Sequence, residues 1–425
     1  MSPVTAWGTP NFRRLWAASA VSTFGSEVAE LALPLLALLT LAATPGEVGA
    51  LRVAQFLPFL LATLPLGLLV DRRHHQRLSL MIGADLGRFV AVALIPAAVW
   101  LGMASMELLY AVVLLVGLLT VLYQLADFAF LPSVVPPGQL VDANGKVAAA
   151  TSANEIGGRG LGGLLVQVMS APFAVALNAV AFLVSGLTLR RIQRTELRPP
   201  ELRSTEQGDL RSNLVAGLRH AVGNRYVRPL LGEATTYNVF NEMLVLGLLL
   251  YLVRERDVGA ATVGLLFTAG GVGSFVGAWF GARLTGRYGY GRVLLATMVL
   301  GNSAPLAVVL VERVGDAVLV LLCGVFLVMG AGIGIANVHG VTLRQTVVAE
   351  HLHGRVNAGY RLVSWGAIPV GAAAGGLLAA HAGAQTTMVV GAVGVAAASL
   401  WVVFSAIPRL SSIATAAHDR GGQMP

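Results

Sequence analysis

Stretch after stretch of about twenty apolar residues, divided only by short polar punctuation, constrains this chain more than any other feature of its sequence. A helix of about 20 apolar residues crosses the hydrocarbon core of a bilayer. A globule in water would have to bury every one of these stretches at once. Composition points the same way: 12% of the 425 residues are charged, against roughly 25% in soluble domains, and the mean hydropathy is +0.75. The solvent for most of this chain is lipid.

Reading apolar runs bounded by charge, Pro or Gly places helices near 15–39, 49–70, 78–101, 108–131, 147–168 and 172–190. A polar, Arg-rich stretch over 191–228 follows, and then helices near 229–253, 260–284, 292–311, 317–340, 359–380 and 385–407. The expected organisation is an N-terminal six-helix bundle (1–190), a basic linker (191–228), a second six-helix bundle (229–408) and a tail (409–425). Two equal blocks suggest an internal duplication. Within the linker, Leu210, Leu214, Leu218 and Val222 recur at helical intervals with Arg211 and Arg219 beside them, which predicts an amphipathic helix along the inner membrane surface.

Charge sets the expected orientation. Of the 29 basic residues, 23 fall in segments on one side, three (Arg254, Arg256 and Arg313) on the other, and three (Arg52, Arg88 and Arg159) within helices. Because cytoplasmic loops retain Lys and Arg, both termini are expected in the cytoplasm. The net charge of +8 is then topological, and nucleic acid is not an expected partner. The start, MSPVTAWGTPNFRRLW, reads as an uncleaved first helix. The single Cys, Cys323, sits in an apolar run and excludes an intramolecular disulfide.

The turn after the second helix reads GLLVDRRHHQR, Gly67 to Arg77, and the equivalent turn after the eighth reads GARLTGRYGYGR, Gly281 to Arg292. Both resemble the signature of the major facilitator superfamily. The first copy keeps Gly67, Asp71, Arg72 and Arg77, with His74 and His75 in its spacer; the second keeps Gly281, Arg287 and Arg292 but lacks the Asp. AELALPLLALL in helix one, LPSVVPPGQLVDAN after helix four, RQTVVAEHLHGRVNA after helix ten and WGAIPVGAAAGGLL in helix eleven resemble the drug, macrolide and siderophore exporters of that superfamily. The resemblance runs from Asn11 to about Pro408. It implies an all-α membrane protein with the major-facilitator fold, twelve transmembrane helices in two pseudo-symmetric bundles. Gly67 is expected to permit close helix approach, and Asp71 to cap a helix or pair with an Arg. Asp85 and Arg88 are expected to pair with this turn.

Ionisable residues within the helices are costly, about 2.5 to 3.5 kcal/mol at a helix centre, and therefore point to function. Glu27 and Glu30 share a face of helix one, where a like-charged pair favours a proton on at least one. Asp127, Glu155, Arg159 and Glu242 complete the cavity candidates. Arg159 stands where the exporters usually carry Pro after Gly; it predicts a salt bridge with Glu155 one turn away, or a positive charge beside the substrate path. Glu233 is expected at the interface. Each acid also admits a purely structural hydrogen bond, to Ser22, Thr23 or Asn154 for instance.

Other patterns carry less. GxGxxG over Gly158–Gly163 lies inside an apolar helix, so it packs helices rather than a dinucleotide; Gly273, Gly277 and Gly281, and Gly371, Gly375 and Gly376, form similar small-residue faces. His74, His75, His351 and His353 lack a metal-site quartet. Lys146 belongs to no phosphate-binding loop, so no ATP motor or other cofactor is expected. The expected function is secondary active transport, with the proton gradient as energy source and Glu27 or Glu30 as carrier. The expected partners are a small hydrophobic or amphipathic molecule, the proton and the lipid bilayer, for a monomer. An importer or facilitator of the same fold, a receptor or scaffold, and a membrane enzyme remain alternatives.

Overall fold

The computed structural model describes residues 5–193, 210–311, 317–349 and 352–413. Among them, α-helices span Pro10–Leu39 (α1), Pro45–Leu61 (α2), Thr63–Arg72 (α3), Arg77–Trp100 (α4), Met106–Val134 (α5), Leu140–Val168 (α6), Ala171–Arg190 (α7), Leu210–Gly223 (α8), Val227–Leu250 (α9), Ala260–Tyr288 (α10), Tyr290–Ser303 (α11), Val318–Val347 (α12), His353–Ala398 (α13) and Leu400–Val403 (α14). No strand occurs among the described residues.

Among the described residues, twelve spans emerge once the breaks are read. By length and apolarity alone, nine helices qualify, or ten when α2 and α3, bent 47° to each other beyond Pro58, are one span. Gly383, at φ 86° inside α13, divides it into two arms, each long enough to cross. The 29 residues of α6 are long enough to cross, but Asn154, Glu155, Arg159, Gln167 and its glycines make it less apolar than the other spans. Most helices start one to seven residues before the predicted positions. Capping explains one such case: Thr44 accepts from the Glu47 amide while the Glu47 carboxylate accepts from the Thr44 N–H, starting α2 at Pro45 rather than 49.

The described residues divide into two compact units: one within 1–206 with 259–264, the other within 207–258 and 265–425. In the first, Phe12, Met81, Tyr123, Phe130 and Leu189 build a core from α1, α4, α5 and α7. In the second, Tyr226, Leu230, Leu294, Leu343 and Val402 do the same for α9, α11, α12 and α14.

Lipid offers no hydrophobic force to press one apolar helix on another, so packing rests on close backbone approach at small residues. In the second unit, a Cβ on Gly330 of α12 would lie 1.9 Å from the Gly270 carbonyl of α10, and one on Gly277 would lie 2.2 Å from the Ala331 carbonyl. Gly371 meets the Val239 carbonyl of α9 in the same way, at 2.2 Å. In the first unit, Gly158 and Gly162 of α6 press against Glu27 and Val28 of α1. The glycine run mistakable for a nucleotide loop is thus a helix-packing face.

Helix α8 forms where amphipathicity predicted it, but its buried side is turned. Ala221 is buried and Gly217 abuts the Arg355 carbonyl of α13, whereas Val222 is exposed. A packed glycine offers α13 a closer seat than the Val222 side chain does. The side chains of Leu210, Arg211 and Leu214 lie outside the described residues, as do Arg313 and His351.

The glycine seam predicts an asymmetry measurable in detergent. Gly330→Ala should lower the thermal unfolding midpoint, as an overpacked site costing about 1 to 3 kcal/mol would. Gly324→Ala, on the same helix with nothing within 4 Å of its Cβ position, should leave the midpoint unchanged or raise it. Equal effects would show that the seam is not tight.

Candidate functional site

The three arginines that the charge census left inside helices each meet a carboxylate. Helix α1 is the hub. Arg52 of α2 donates through Nη1 to Glu30 Oε1 at 2.6 Å, and Gln55, one turn on, donates through Nε2 to Glu30 Oε2 at 3.1 Å. Arg159 of α6 donates through Nε to Glu27 Oε2 at 3.0 Å. Both acids of α1 therefore face a guanidinium. The two are not a bare like-charged pair, because each has its own guanidinium from a neighbouring helix.

This geometry corrects the expected Arg159–Glu155 bridge. Gly158 and Gly162 bring the α1 backbone against α6, so the neighbouring helix supplies a carboxylate in reach of Arg159, while Glu155 is exposed on its own helix. Arg159 remains 36% exposed while paired, against 11% for Arg52. Arg52 and Gln55 were not among the sequence candidates. Their signal was present: an Arg and a Gln three residues apart in an apolar run need an acid on a neighbouring helix.

Asp85 and Arg88 of α4 form a third pair, fully enclosed, at 0% and 2% exposure. Asp85 also accepts from Ser185 Oγ of α7 at 2.6 Å. Arg88 donates to Ser22 of α1 at 3.3 Å and to Thr120 of α5 at 3.4 Å, with its guanidinium over the rings of Tyr123 and Phe182. Four helices meet on this one ion pair. Its expected partner, the Asp71 turn, is elsewhere: Asp71 and Arg72 are exposed at the end of α3, because Asp85 lies two turns into α4 and faces α7. Arg77 ties the start of α4 to the Ala129 carbonyl of α5 at 2.9 Å.

The two signature glycines differ. Gly67 has nothing within 4 Å of its Cβ position, against the expected close approach, since α3 presents an open face there. Gly281 of α10 does support one, with His339 Nε2 at 2.9 Å; His339 is itself buried and edge-on to Tyr290. Arg287 and Arg292 are exposed. Asp127 of α5 accepts from Ser19 Oγ at 3.4 Å, and Ser19 lies 3.1 Å from the Tyr123 hydroxyl, so this acid adjoins the Arg88 network.

In the second unit Glu242 is buried at mid-helix in α9. Glu233, expected at an interface, is instead 9% exposed and accepts from Asn302 Nδ2 of α11 at 3.0 Å. The physical reason is that α9 starts at Val227, which carries Glu233 into the bundle. It lines a cavity of about 390 Å³ with Tyr237, Asn238, Asn337, Arg344 and Tyr360. Arg344 stacks on Tyr360, 3.8 Å from the ring centroid. That volume lies within the range of small-molecule sites. Among the loop histidines, His74 and His75 lie ring to ring, and His353 sits at 2.8 Å from the Gln345 carbonyl.

The chain matches, over residues 1–424, the family model described as transmembrane secretion effector. It is 27% identical over 384 residues to the multidrug efflux pump Tap of Mycobacterium tuberculosis, with 87% of each chain covered. It is 25% identical over 380 residues to the uncharacterized MFS-type transporter YfiS of Bacillus subtilis, with 88% of each covered. Its fold is similar to that of the nucleoside transporter NupG, with a TM-score of 0.72 and 11% identity over 93% of this chain and 98% of the other. It also resembles an inward-facing bacterial homologue of the iron transporter ferroportin, with a TM-score of 0.66 and 19% identity over 92% and 98%. The chain belongs to the transmembrane secretion effector family of the major facilitator superfamily, a multi-pass membrane transporter with the fold of that superfamily.

Proposed function

We propose that this protein is a proton-coupled exporter of a hydrophobic or amphipathic small molecule, working by alternating access in the cell membrane with both termini cytoplasmic. The observation that carries the reading is the Glu27–Arg159 pair, an ion pair inside a transporter bundle whose arginine stays 36% exposed. The multidrug efflux role named for the Mycobacterium relative supports the direction and the substrate class. The arginine-rich loops support the orientation. With no phosphate-binding motif in the sequence, work comes from an ion gradient or from the substrate's own gradient, and the acids within the helices favour protons; the family argues against catalysis.

The chemistry follows from charge compensation. While Glu27 is ionised it holds Arg159 at 3.0 Å. A proton on Glu27 removes that attraction and leaves a guanidinium with weaker compensation, a costly state in a low-dielectric bundle. Arg159 then swings, and Glu155 is the acid one turn away on its own helix. Proton binding is thereby tied to a movement of α6 against α1. Glu30 suits this role less, because Arg52 and Gln55 both hold it.

Glu27→Gln should abolish proton-driven export of dyes and macrolides in an efflux-deficient host, at matched membrane abundance, while binding of the same compounds persists. Full export by this variant would exclude Glu27 as the carrier. In a thermal double-mutant cycle, Glu27→Gln and Arg159→Gln should be non-additive by about 0.5 to 3 kcal/mol; additivity would mean that the pair does not act as a unit. For orientation, in a Cys323→Ser background, Met103→Cys should react with an impermeant maleimide on intact cells and Arg73→Cys should not. The opposite pattern would invert the topology.

A further inference from the structure

The cavity of about 390 Å³ in the second unit takes its polar lining from helical repeats. Asn337 and Arg344 lie two turns apart on α12. Asn357, Arg361 and Trp365 follow one another at single turns of α13, as Glu233 and Tyr237 do on α9. Such spacings put the side chains of each helix on one face, and all of them line the cavity. Polar side chains among apolar spans are costly to keep. A polar face repeated on three helices around one cavity therefore points to a ligand rather than to packing.

The lining is mixed in charge and in hydrogen-bonding sense. Glu233 brings a carboxylate, and Arg344 and Arg361 bring guanidinium groups, so a simple anion would meet the first and a simple cation the other two. Asn337 and Asn357 are exposed, and an amide both donates and accepts. Asn238 donates through Nδ2 to the Ser364 carbonyl at 2.6 Å, and Asn302 through Nδ2 to Glu233 at 3.0 Å, so each keeps its amide oxygen as an acceptor. Donors and acceptors side by side suit hydroxyl groups, because one hydroxyl gives a hydrogen bond and accepts others. The rest of the wall is aromatic and apolar. Trp365 is 39% exposed, with the Arg361 guanidinium 4.3 Å from its ring centroid, and Leu230, Met298 and Ile333 complete the surface.

We infer that this cavity takes a neutral, polyhydroxylated ring of the sugar type, carried by an amphipathic molecule, with its hydroxyls on Asn337, Asn357 and Glu233 and its carbon skeleton against Trp365. A cavity with apolar walls and a few convergent polar groups is the usual form of a small-molecule site. The inference names a substrate class for the proposed exporter and rests on that reading for transport, whereas binding itself needs neither a direction nor a proton.

Equilibrium dialysis of the full chain in nanodiscs, with empty nanodiscs subtracted, provides the test. The probes share one coumarin: 4-methylumbelliferyl β-glucoside, the methyl ether that lacks the sugar, the phosphate monoester, and an ether bearing a trimethylammonium group. The glucoside should bind about tenfold more tightly than the methyl ether, as several hydrogen bonds would provide. Asn337→Ala and Asn357→Ala should each weaken the glucoside by roughly threefold to tenfold. Asn337→Gln and Asn357→Gln, which keep the amide, should retain most of the affinity and separate a lost contact from a lost fold. Equal binding of glucoside and methyl ether overturns the assignment, as do alanine variants that bind the glucoside like the parent or glutamine variants that bind it no better than alanine. Tighter binding of the phosphate or the trimethylammonium probe overturns it in favour of an ionic site. No gradient is present in this assay, so full export by Glu27→Gln would leave these results unchanged, and the two readings fail separately.

Discussion

A charge placed among lipid-embedded helices has to find its opposite within the protein, and the first unit is arranged around that requirement. Arg52, Arg88 and Arg159 come from three different helices, and each is answered by a carboxylate: Glu30, Asp85 and Glu27. Isolated, any of these charges would cost several kcal/mol. Paired, they dictate which helices are neighbours. Helix α1 carries two of the acids and also Ser19 and Ser22, so α2, α4, α5 and α6 are all tied to it through polar contacts that the apolar surfaces alone could not specify.

The pairs differ in what they can do. The Asp85–Arg88 pair is sealed between aromatic rings and hydroxyls, and its exposure is close to zero. An enclosed pair of this kind contributes specificity of packing more than net stability, because desolvation offsets much of the Coulomb attraction. The Glu27–Arg159 pair keeps a partly exposed arginine and has a second acid, Glu155, near it. The same two chemical groups are sealed from their surroundings in one place and partly open to them in the other.

Glycine does the complementary work. Where no charge sets the distance between helices, a missing side chain does: Gly270 with Gly330, Gly277 with Ala331, and Gly371 with Val239 bring backbones together. The cavity around Glu233 and Asn302 lies among these closely packed helices of the second unit, its polar lining drawn from α9, α11, α12 and α13.

The sequence by itself determined the helices, their number and their grouping, because the length of an apolar run is a local property that the bilayer thickness converts directly into a span. Even the breaks had local causes, in Pro58 and Gly383. Sequence also marked Glu27, Glu30 and Arg159 as exceptional, since a charge in an apolar run stands out without any knowledge of neighbours. Only the tertiary structure decided who faces whom. Arg159 had an acid one turn away on its own helix, yet it pairs across to α1 because glycines let that backbone come closer. Glu233 was expected at the interface, but an extra half-turn at the start of α9 and Asn302 of α11 make it an interior residue. Pairing between helices depends on rotation and approach, and those are fixed by packing summed over the whole bundle, which no single stretch of sequence contains.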